Sequence, residues 1–320
     1  MTAEELAPPA RGRRRRWEEV PIPLRAEVAA RLGAEVTAAT SVAAGFSPGV
    51  AARLTLQDGR RVFAKAVARD WNRDTLALHQ REAEITAALP PATPAARLLL
   101  SVSRPGWTVL VLEHVPGRPP RLPWQPEELA LVLDAVDGLS KLLTPSPVSA
   151  APASELVGFA DGFKRLRQRR EAAGDPLDDI DPWAVRNLER LELLEASWSG
   201  SVRGDTLCHF DLRQDNILVQ GSHVTFVDWA QALVGPAWLD LACLLPSVAA
   251  QGGPAPWTIF DSHPLGRSVS EEVLAPVVAA MAGYFLLRQS LPPPAGMPTV
   301  RAFQRALGLP TLAWLRHLRD

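Results

Sequence analysis

A chain of 320 residues and 34.7 kDa has room for one large or two modest domains, and 47% apolar with 22% charged residues is ordinary globular composition. The formal charge of −1 argues against a nucleic-acid-binding protein, because such proteins usually carry a strongly basic surface. Two cysteines are too few for a disulfide framework and favour a reducing, cytoplasmic location.

Residues 1–33 combine a basic tail with a lead-in helix. The run Arg13 to Arg16 is followed by Trp17 and two glutamates instead of an apolar region, so export is not expected. A run of like charges is usually solvated, which predicts a disordered tail; the alternative is an arm that binds nucleic acid. The longest apolar segment, 273–287, is shorter than the roughly 20 residues that a membrane span needs, so no membrane contact is expected.

Residues 34–115 alternate short apolar runs with turn signals. Asp58-Gly59 is typical of a hairpin turn, and Pro90-Pro91 ends a helical pattern. The predicted order is β-β-β-α-β-β, with five strands at 34–42, 50–56, 61–67, 97–102 and 107–114 and one helix at 74–89. A proline-rich segment at 116–126 then marks a domain boundary.

Residues 127–320 have mainly helical patterns, so the chain is predicted to be an α+β protein. The predicted helices are 127–143, 155–171, 182–198, 236–249, 271–287 and 300–317. Two short strands, 217–219 and 224–227, interrupt them and are joined by a Gly-Ser turn.

The most informative pattern is H-x-D-x-x-x-x-N, formed by His209, Asp211 and Asn216, with Asp228 at the end of the next apolar strand. With 6 His, 17 Asp and 3 Asn, it is expected by chance only about 0.003 times. Phosphoryl transfer needs a proton acceptor and divalent metal, and carboxylate and amide oxygens suit Mg²⁺. Asp211 can accept a hydroxyl proton, whereas His209 is expected to order the loop by hydrogen bonding.

The pattern resembles the aminoglycoside phosphotransferase and choline kinase family, whose second signature is I-D-W-x-x-x-x-x-G-x-x-x-x-D. Asp228-Trp229 through Gly235 to Asp240 is similar to it. The resemblance implies a bilobal protein-kinase-like fold, with a small β-rich N-lobe at 34–115, a hinge at 116–126 and a larger, mainly helical C-lobe at 127–320. It also implies roles for four residues: Asp211 as catalytic base, Asn216 and Asp228 as Mg²⁺ ligands, and Asp240 as a structural acid bracing the catalytic loop.

Three positions depart from the family pattern. Phe210 stands where the family usually has Gly, and Arg213 stands where His is common. Ala230-Gln231 stands where the family commonly has at least one acid. None of them removes a proton acceptor or a metal ligand, so they bear on substrate and loop packing.

A kinase-like fold carries a phosphate-binding lysine on its third strand, paired with a glutamate of the next helix. Lys65 lies on that strand in a chain with 31 Arg and 3 Lys; the alternative is an ordinary surface lysine. Glu82 shares a helix face with apolar Ile85, whereas Glu84 projects elsewhere. A buried acid needs a partner, so we predict that Glu82 pairs with Lys65.

Two further segments are candidates for nucleotide binding. The loop 43–50 contains Gly45 and lies between the first two strands, where it would cover the ATP phosphates; a plain turn is the alternative. Backbone groups near His114 and Val115 resemble the family's interlobe hinge and would hydrogen-bond adenine.

The leading prediction is an ATP- and Mg²⁺-dependent kinase that phosphorylates a hydroxyl of a small molecule. Residues 117–320 carry a net charge of −5, which favours an aminoglycoside or other amine-bearing acceptor. The alternative is a nucleotide-binding pseudokinase with a regulatory or scaffolding role. Its usual mark is loss of the strand lysine, the base or a metal ligand, all of which this chain retains. The oligomeric state is left open.

Overall fold

Two hydrophobic cores, one for each lobe, organise the computed structural model, which describes residues 7–10, 12–43, 45–46 and 48–319. The smaller core lies under the N-terminal sheet and includes Trp17, Val28 and Leu54. The larger core fills the helical C-terminal part. The predicted bilobal α+β fold is therefore confirmed.

The N-lobe is built on one six-stranded sheet of order β1-β3-β4-β6-β5, with β2 also paired to β3. All pairs are antiparallel except β1 with β3. The strands are β1 (Arg14–Arg15), β2 (Val36–Ser41), β3 (Gly49–Leu56), β4 (Arg61–Ala68), β5 (Leu98–Arg104) and β6 (Trp107–Glu113). β4 lies between β3 and β6, so its register is fixed from both sides.

The five predicted strands are present as β2 to β6, but the sheet has a sixth strand, β1, and the prediction that the basic run is disordered was wrong. Arg14 and Arg15 pair in parallel with Gly49 and Val50, where β3 extends beyond the end of β2. Unpaired backbone groups at a strand edge favour any segment that can complete the ladder, whatever its side chains. Two residues in a run of arginines carry no periodicity from which this strand could be predicted.

Two α-helices, α1 (Ile22–Leu32) and α2 (Arg73–Ala88), complete the described part of the N-lobe. Leu24 and Val28 of α1 join the core under the sheet. The side chain of Asn72 caps α2 by accepting a hydrogen bond from the Thr75 N–H at 2.7 Å. α2 contacts β4 and β6 and also the turn at Trp229–Gln231, so it lies between the two lobes.

The C-lobe consists of nine α-helices and two small antiparallel sheets among the residues described. One of them is a two-stranded sheet of β7 (Thr206–Cys208) and β10 (Leu233–Gly235), and the other is the hairpin of β8 (Ile217–Gln220) and β9 (His223–Phe226). The helices are α3 (Pro126–Leu142), α4 (Gly162–Ala173), α5 (Pro182–Arg186), α6 (Leu188–Glu195), α7 (Trp198–Ser201), α8 (Leu239–Ala250), α9 (Pro256–Phe260), α10 (Glu271–Gln289) and α11 (Val300–His317). None of the helices in the described part of the chain has the length and apolarity to cross a bilayer.

Two helix predictions in this lobe need correction. The helix predicted at 155–171 begins only at Gly162, because Gly158 has a positive φ of 77° that helical backbone does not allow. The helix predicted at 182–198 is three short helices, interrupted first at Asn187, whose φ of −110° and ψ of 12° leave the helical range.

The segment that joins the lobes is tied to the C-lobe by backbone hydrogen bonds. Arg118 and Val219 exchange two of them, at 3.2 and 2.7 Å. Gly117 allows this approach, because a Cβ there would lie 3.1 Å from the Val219 carbonyl oxygen. The hinge is thereby held next to β8, which follows the catalytic loop.

Candidate active site

A cavity of about 560 Å³ lies in the cleft between the lobes. Its walls come from β3 and β4, α2, the hinge and the start of the β8–β9 hairpin. Seven residues predicted from the sequence line it: Gly45, Lys65, Glu82, His114, Val115, Asn216 and Asp228. The other three, His209, Asp211 and Asp240, lie in or behind the adjoining catalytic loop.

Lys65 is held at the centre of a charged cluster. Its Nζ lies 2.7 and 2.8 Å from the two carboxylate oxygens of Glu82 and 3.1 Å from Oδ1 of Asp228. Glu84 is exposed, so the structure brings to Lys65 the glutamate that the helical spacing indicated. Burial opposes the charge of Lys65, but Asp228 and Glu82 outweigh it and raise the pKa of the ammonium above its usual value.

The two carboxylates in this cluster titrate differently. Burial raises the pKa of Glu82 to about 7, whereas Lys65 overcomes the effect of burial on Asp228 and lowers the pKa of that group. Asp228 is therefore the carboxylate held ionised, as a metal ligand must be.

The catalytic loop, residues 209–216, is braced from behind by Asp240 near the start of α8. Its two carboxylate oxygens accept hydrogen bonds at 2.8 Å from the backbone N–H groups of His209 and Phe210. Burial raises the pKa of Asp240 to about 6, and the two N–H donors oppose that rise. The loop is therefore fixed by a buried acid of its own lobe.

His209 orders the loop from within. Its Nδ1 accepts the backbone N–H of Asp211 at 3.3 Å, so Nε2 carries the proton and donates to the Val227 carbonyl at 2.9 Å. Burial lowers the pKa of His209 to about 4, so the ring is neutral at pH 7. The imidazole thus links the catalytic loop to the residue before Asp228.

Asp211 lies between a cation and an amide. Its Oδ1 is 2.7 Å from Nη1 of Arg213, and its Oδ2 accepts a hydrogen bond from the Asn216 side-chain nitrogen at 3.1 Å. Burial raises the pKa of Asp211 to about 7, and Arg213 opposes that rise. A carboxylate with a pKa near neutrality can accept a proton from a hydroxyl group during the reaction.

Asn216 and Asp228 meet the chemical requirements of a magnesium site. The backbone N–H of Val227 donates to the carbonyl of Asn216 at 2.9 Å, which closes the β8–β9 hairpin and brings the two residues together. The Asn216 amide nitrogen faces Asp211, which leaves its oxygen as the ligand atom. The described residues hold no cluster of three His, Cys, Asp or Glu suited to a metal, and Mg²⁺ commonly takes few protein ligands besides substrate phosphates.

Two residues beside the cavity have a left-handed backbone that is unusual for a side chain. Asp228 has a φ of 71°, and Phe210 has a φ of 63°. The Phe210 conformation gives a physical reason for the glycine usual at that position in the family. Here its ring packs at 5.2 Å from Phe159, an aromatic contact that offsets part of the strain.

Sequence reasoning missed several residues of the cavity wall. Asp215 lines it and pairs with Arg213 at 3.0 Å; an acid directly before Asn216 was the signal available. His79 lines it one helical turn before Glu82, and burial lowers its pKa to about 3. Arg14 also lines it, although it lies 51 residues before Lys65 in the chain. No local sequence signal marks it.

The site combines a buried lysine–glutamate pair, a carboxylate in a braced loop and two oxygen ligands of the kind that bind metals. On a bilobal fold, this combination defines a phosphotransferase of the protein-kinase-like class. The family model described as the phosphotransferase enzyme family matches residues 38–266, and the chain belongs to that family. It is accordingly a small-molecule phosphotransferase, as the sequence resemblance predicted. A search of curated proteins found no match.

Solved structures with the same fold include small-molecule kinases. Aminoglycoside phosphotransferase APH(4)-Ia shares 14% identity at a TM-score of 0.56, over 92% of this chain and 97% of that one. Choline kinase LicA from Streptococcus pneumoniae shares 14% sequence identity at a TM-score of 0.57, over 91% of this chain and 98% of that one. A putative fructosamine-3-kinase from Haemophilus somnus shares 11% sequence identity at a TM-score of 0.52, over 90% of this chain and 96% of that one. A ternary complex of a thermostable APH(4)-Ia mutant holds AMP-PNP and hygromycin B.

Proposed function

We propose that this phosphotransferase moves the γ-phosphate of ATP to a hydroxyl group of a small molecule, with Mg²⁺ as cofactor. The observation that carries the proposal is the convergence of Lys65, Asp228 and Asn216 on one cavity, with Asp211 hydrogen-bonded to Asn216 beside it. Phosphoryl transfer depends on positioning and charge stabilisation rather than on covalent chemistry by the protein. This set of residues supplies both.

Each group then has a role that its chemistry allows. Asp211 accepts the proton of the acceptor hydroxyl, and Lys65, oriented by Glu82, binds the phosphates of the nucleotide. Asn216 and Asp228 hold Mg²⁺, which when bound neutralises phosphate charge.

Adenine would bind at the other end of the cavity. Backbone groups at His114 and Val115 are the proposed hydrogen-bonding partners, and the half of the cavity near them includes apolar Ala96 and Leu218. The loop that contains Gly45 covers the phosphate end. We also propose a cytoplasmic location, which the two free cysteines support.

For the acceptor we propose an aminoglycoside or another amine-bearing alcohol. The net charge of −5 on residues 117–320 favours a cationic ligand. The half-buried rings of Phe159 and of Phe210, the residue before Asp211, also lie in contact at 5.2 Å. Aromatic faces attract ammonium groups, so both observations support the same acceptor class.

The variant Asp211→Asn tests the central role. We expect turnover to fall by about 10²- to 10⁴-fold while the affinity for ATP is retained, because a positioned base contributes to the reaction rather than to nucleotide binding. Asp205→Asn is the matched control, since Asp205 is an exposed acid just before β7. A fully active Asp211→Asn protein would contradict the assignment.

The acceptor is tested by measuring ADP release with aminoglycosides, amino alcohols and neutral sugars at equal concentration. The proposal expects turnover with amine-bearing compounds and little with neutral sugars. Turnover of neutral sugars alone would refute the amine preference and leave the phosphotransferase activity intact. ATP binding without ADP formation in the presence of any acceptor would instead favour the pseudokinase alternative, which the retained lysine, base and metal ligands do not support.

A further inference from the structure

The segment that precedes α1 crosses the front of the cleft from one lobe to the other. We call residues 7–10 and 12–16 the N-terminal strap. At its C-lobe end, the Ala7 N–H donates to the carbonyl of Ala250 at 2.9 Å, and the Ala7 side chain is buried. The strap thus starts at the last residue of α8, in the lobe that carries the catalytic loop.

The other end of the strap is bound to the glycine-containing loop of the N-lobe. The Gly45 N–H donates to the carbonyl of Ala10 at 3.0 Å, and the Gly12 N–H donates to the carbonyl of Gly45 at 2.8 Å. A Cβ at Gly12 would lie 3.1 Å from that carbonyl oxygen, so the close approach depends on glycine. The strap then enters the sheet as β1.

Arg14 extends from this strap into the cavity. It lines the same cavity as Lys65 and Asp228, and its Nε donates to the Val42 carbonyl at 3.2 Å. A Cβ at Gly45 would lie only 2.8 Å from an Nη atom of Arg14. Gly45 therefore provides the space in which the Arg14 guanidinium lies, which is a reason for a glycine here besides its φ of 87°.

The charge and shape of the Arg14 side chain suit phosphate binding. Burial lowers its pKa, and the carboxylates of Asp228 and Asp215 oppose that effect. An arginine side chain nevertheless keeps its positive charge in proteins at neutral pH. A guanidinium also forms two parallel hydrogen bonds with phosphate oxygens, which a lysine ammonium does not.

We propose that Arg14 binds the phosphates of the nucleotide from the strap side of the cavity, opposite the contribution of Lys65 from β4. The inference rests on the proposed use of ATP and adds a phosphate-binding residue supplied by the N-terminal strap. It also gives the strap a function, because its contacts with the C-lobe and with Gly45 hold Arg14 in place.

The test compares Arg14→Ala with Arg13→Ala by calorimetry in the presence of Mg²⁺, with adenosine, AMP, ADP and ATP as ligands. Arg13 is an exposed neighbour whose contact to Gly296 is made by its backbone N–H, so its side chain can be removed without loss of that bond. For Arg14→Ala we expect ATP affinity to fall roughly 10- to 100-fold, with a smaller loss for AMP and none for adenosine. Arg13→Ala should bind all four ligands as the wild type does.

The outcomes separate this inference from the proposed function. A wild-type protein that does not bind ATP overturns both. If the wild type binds ATP and Arg14→Ala binds it equally well, or if the variant loses adenosine and ATP affinity to the same degree, the role of Arg14 is overturned while ATP use stands. Arg14→Gln, which keeps a polar side chain of similar reach without the charge, gives the same comparison if Arg14→Ala does not fold, and Arg14→Lys should recover part of the ATP affinity.

Discussion

The two loops that face the cleft are held in different ways. The catalytic loop is fixed inside the C-lobe by Asp240, which accepts two backbone N–H groups, and by the neutral ring of His209. The glycine-containing loop has no such brace from the core of its own lobe among the described residues. It is held instead by backbone hydrogen bonds to the N-terminal strap and by Phe46, which lies 5.2 Å from the ring of Phe303 on α11.

This difference separates the parts of the site that must be rigid from those that must admit a ligand. Buried hydrogen bonds within one lobe open only when that lobe unfolds locally, so Asp211, the proposed base, keeps its geometry. Contacts between lobes and with a terminal segment can open separately, which would admit the proposed nucleotide. Arg213 connects the two loops, because it pairs with Asp211 and lies 5.7 Å from the ring of Phe46.

The largest effect is expected from removing the brace of the catalytic loop. Asp240→Ala leaves the N–H groups of His209 and Phe210 without their acceptor in a buried site, at a cost of about 1–3 kcal/mol each. We expect a markedly lower melting temperature in thermal denaturation together with loss of turnover. Asp261→Ala, at an exposed acid after α9, should leave both unchanged. An Asp240→Ala protein as stable as the wild type would contradict the brace.

The pH dependence of the reaction tests the connection between the loops. Asp211 must be ionised to act as a base, so activity should be low in acid and rise as the pH passes through its pKa of about 7. Arg213 lowers that pKa, so Arg213→Met should move the acidic limb of kcat/KM to higher pH, by about one unit or more. Arg203→Met, at an exposed arginine, is the control; a limb that does not move would refute the influence of Arg213.

The parts of the site that could be predicted from the sequence are those marked by a local pattern, either a short motif or a helical spacing. The catalytic loop is one motif, and the helical period alone places Glu82 on the face that meets Lys65. Arg14 was not predictable, because its position results from pairing between β1 and a strand 35 residues further on, without periodicity or motif. Asp211–Arg213 was not predicted either, since the family pattern offered no precedent for an arginine there.

An intermediate effect is expected at the buried ion pair of the N-lobe. Glu82→Gln replaces the carboxylate that holds Lys65 by a neutral amide, so Lys65 should turn towards Asp228 and ATP affinity should fall roughly tenfold. Glu84→Gln alters an exposed side chain two residues away and should leave ATP affinity unchanged. Equal affinities of the two variants in a titration with ATP would show that the Lys65–Glu82 pair does not position the lysine.

The smallest effect is expected from the surface ion pair between Arg97 and Glu113, at the edge of the hinge. Its two side chains form hydrogen bonds in the structure, but that of Arg97 is 70% exposed. Exposed pairs of this kind contribute little to stability, because water already solvates both charges. Arg97→Ala should therefore change the melting temperature little and leave ATP affinity as it was. A loss of ATP affinity similar to that of Glu82→Gln would contradict this expectation. It would mean that the surface pair orients the neighbouring backbone at His114 and thereby the adenine end of the nucleotide pocket.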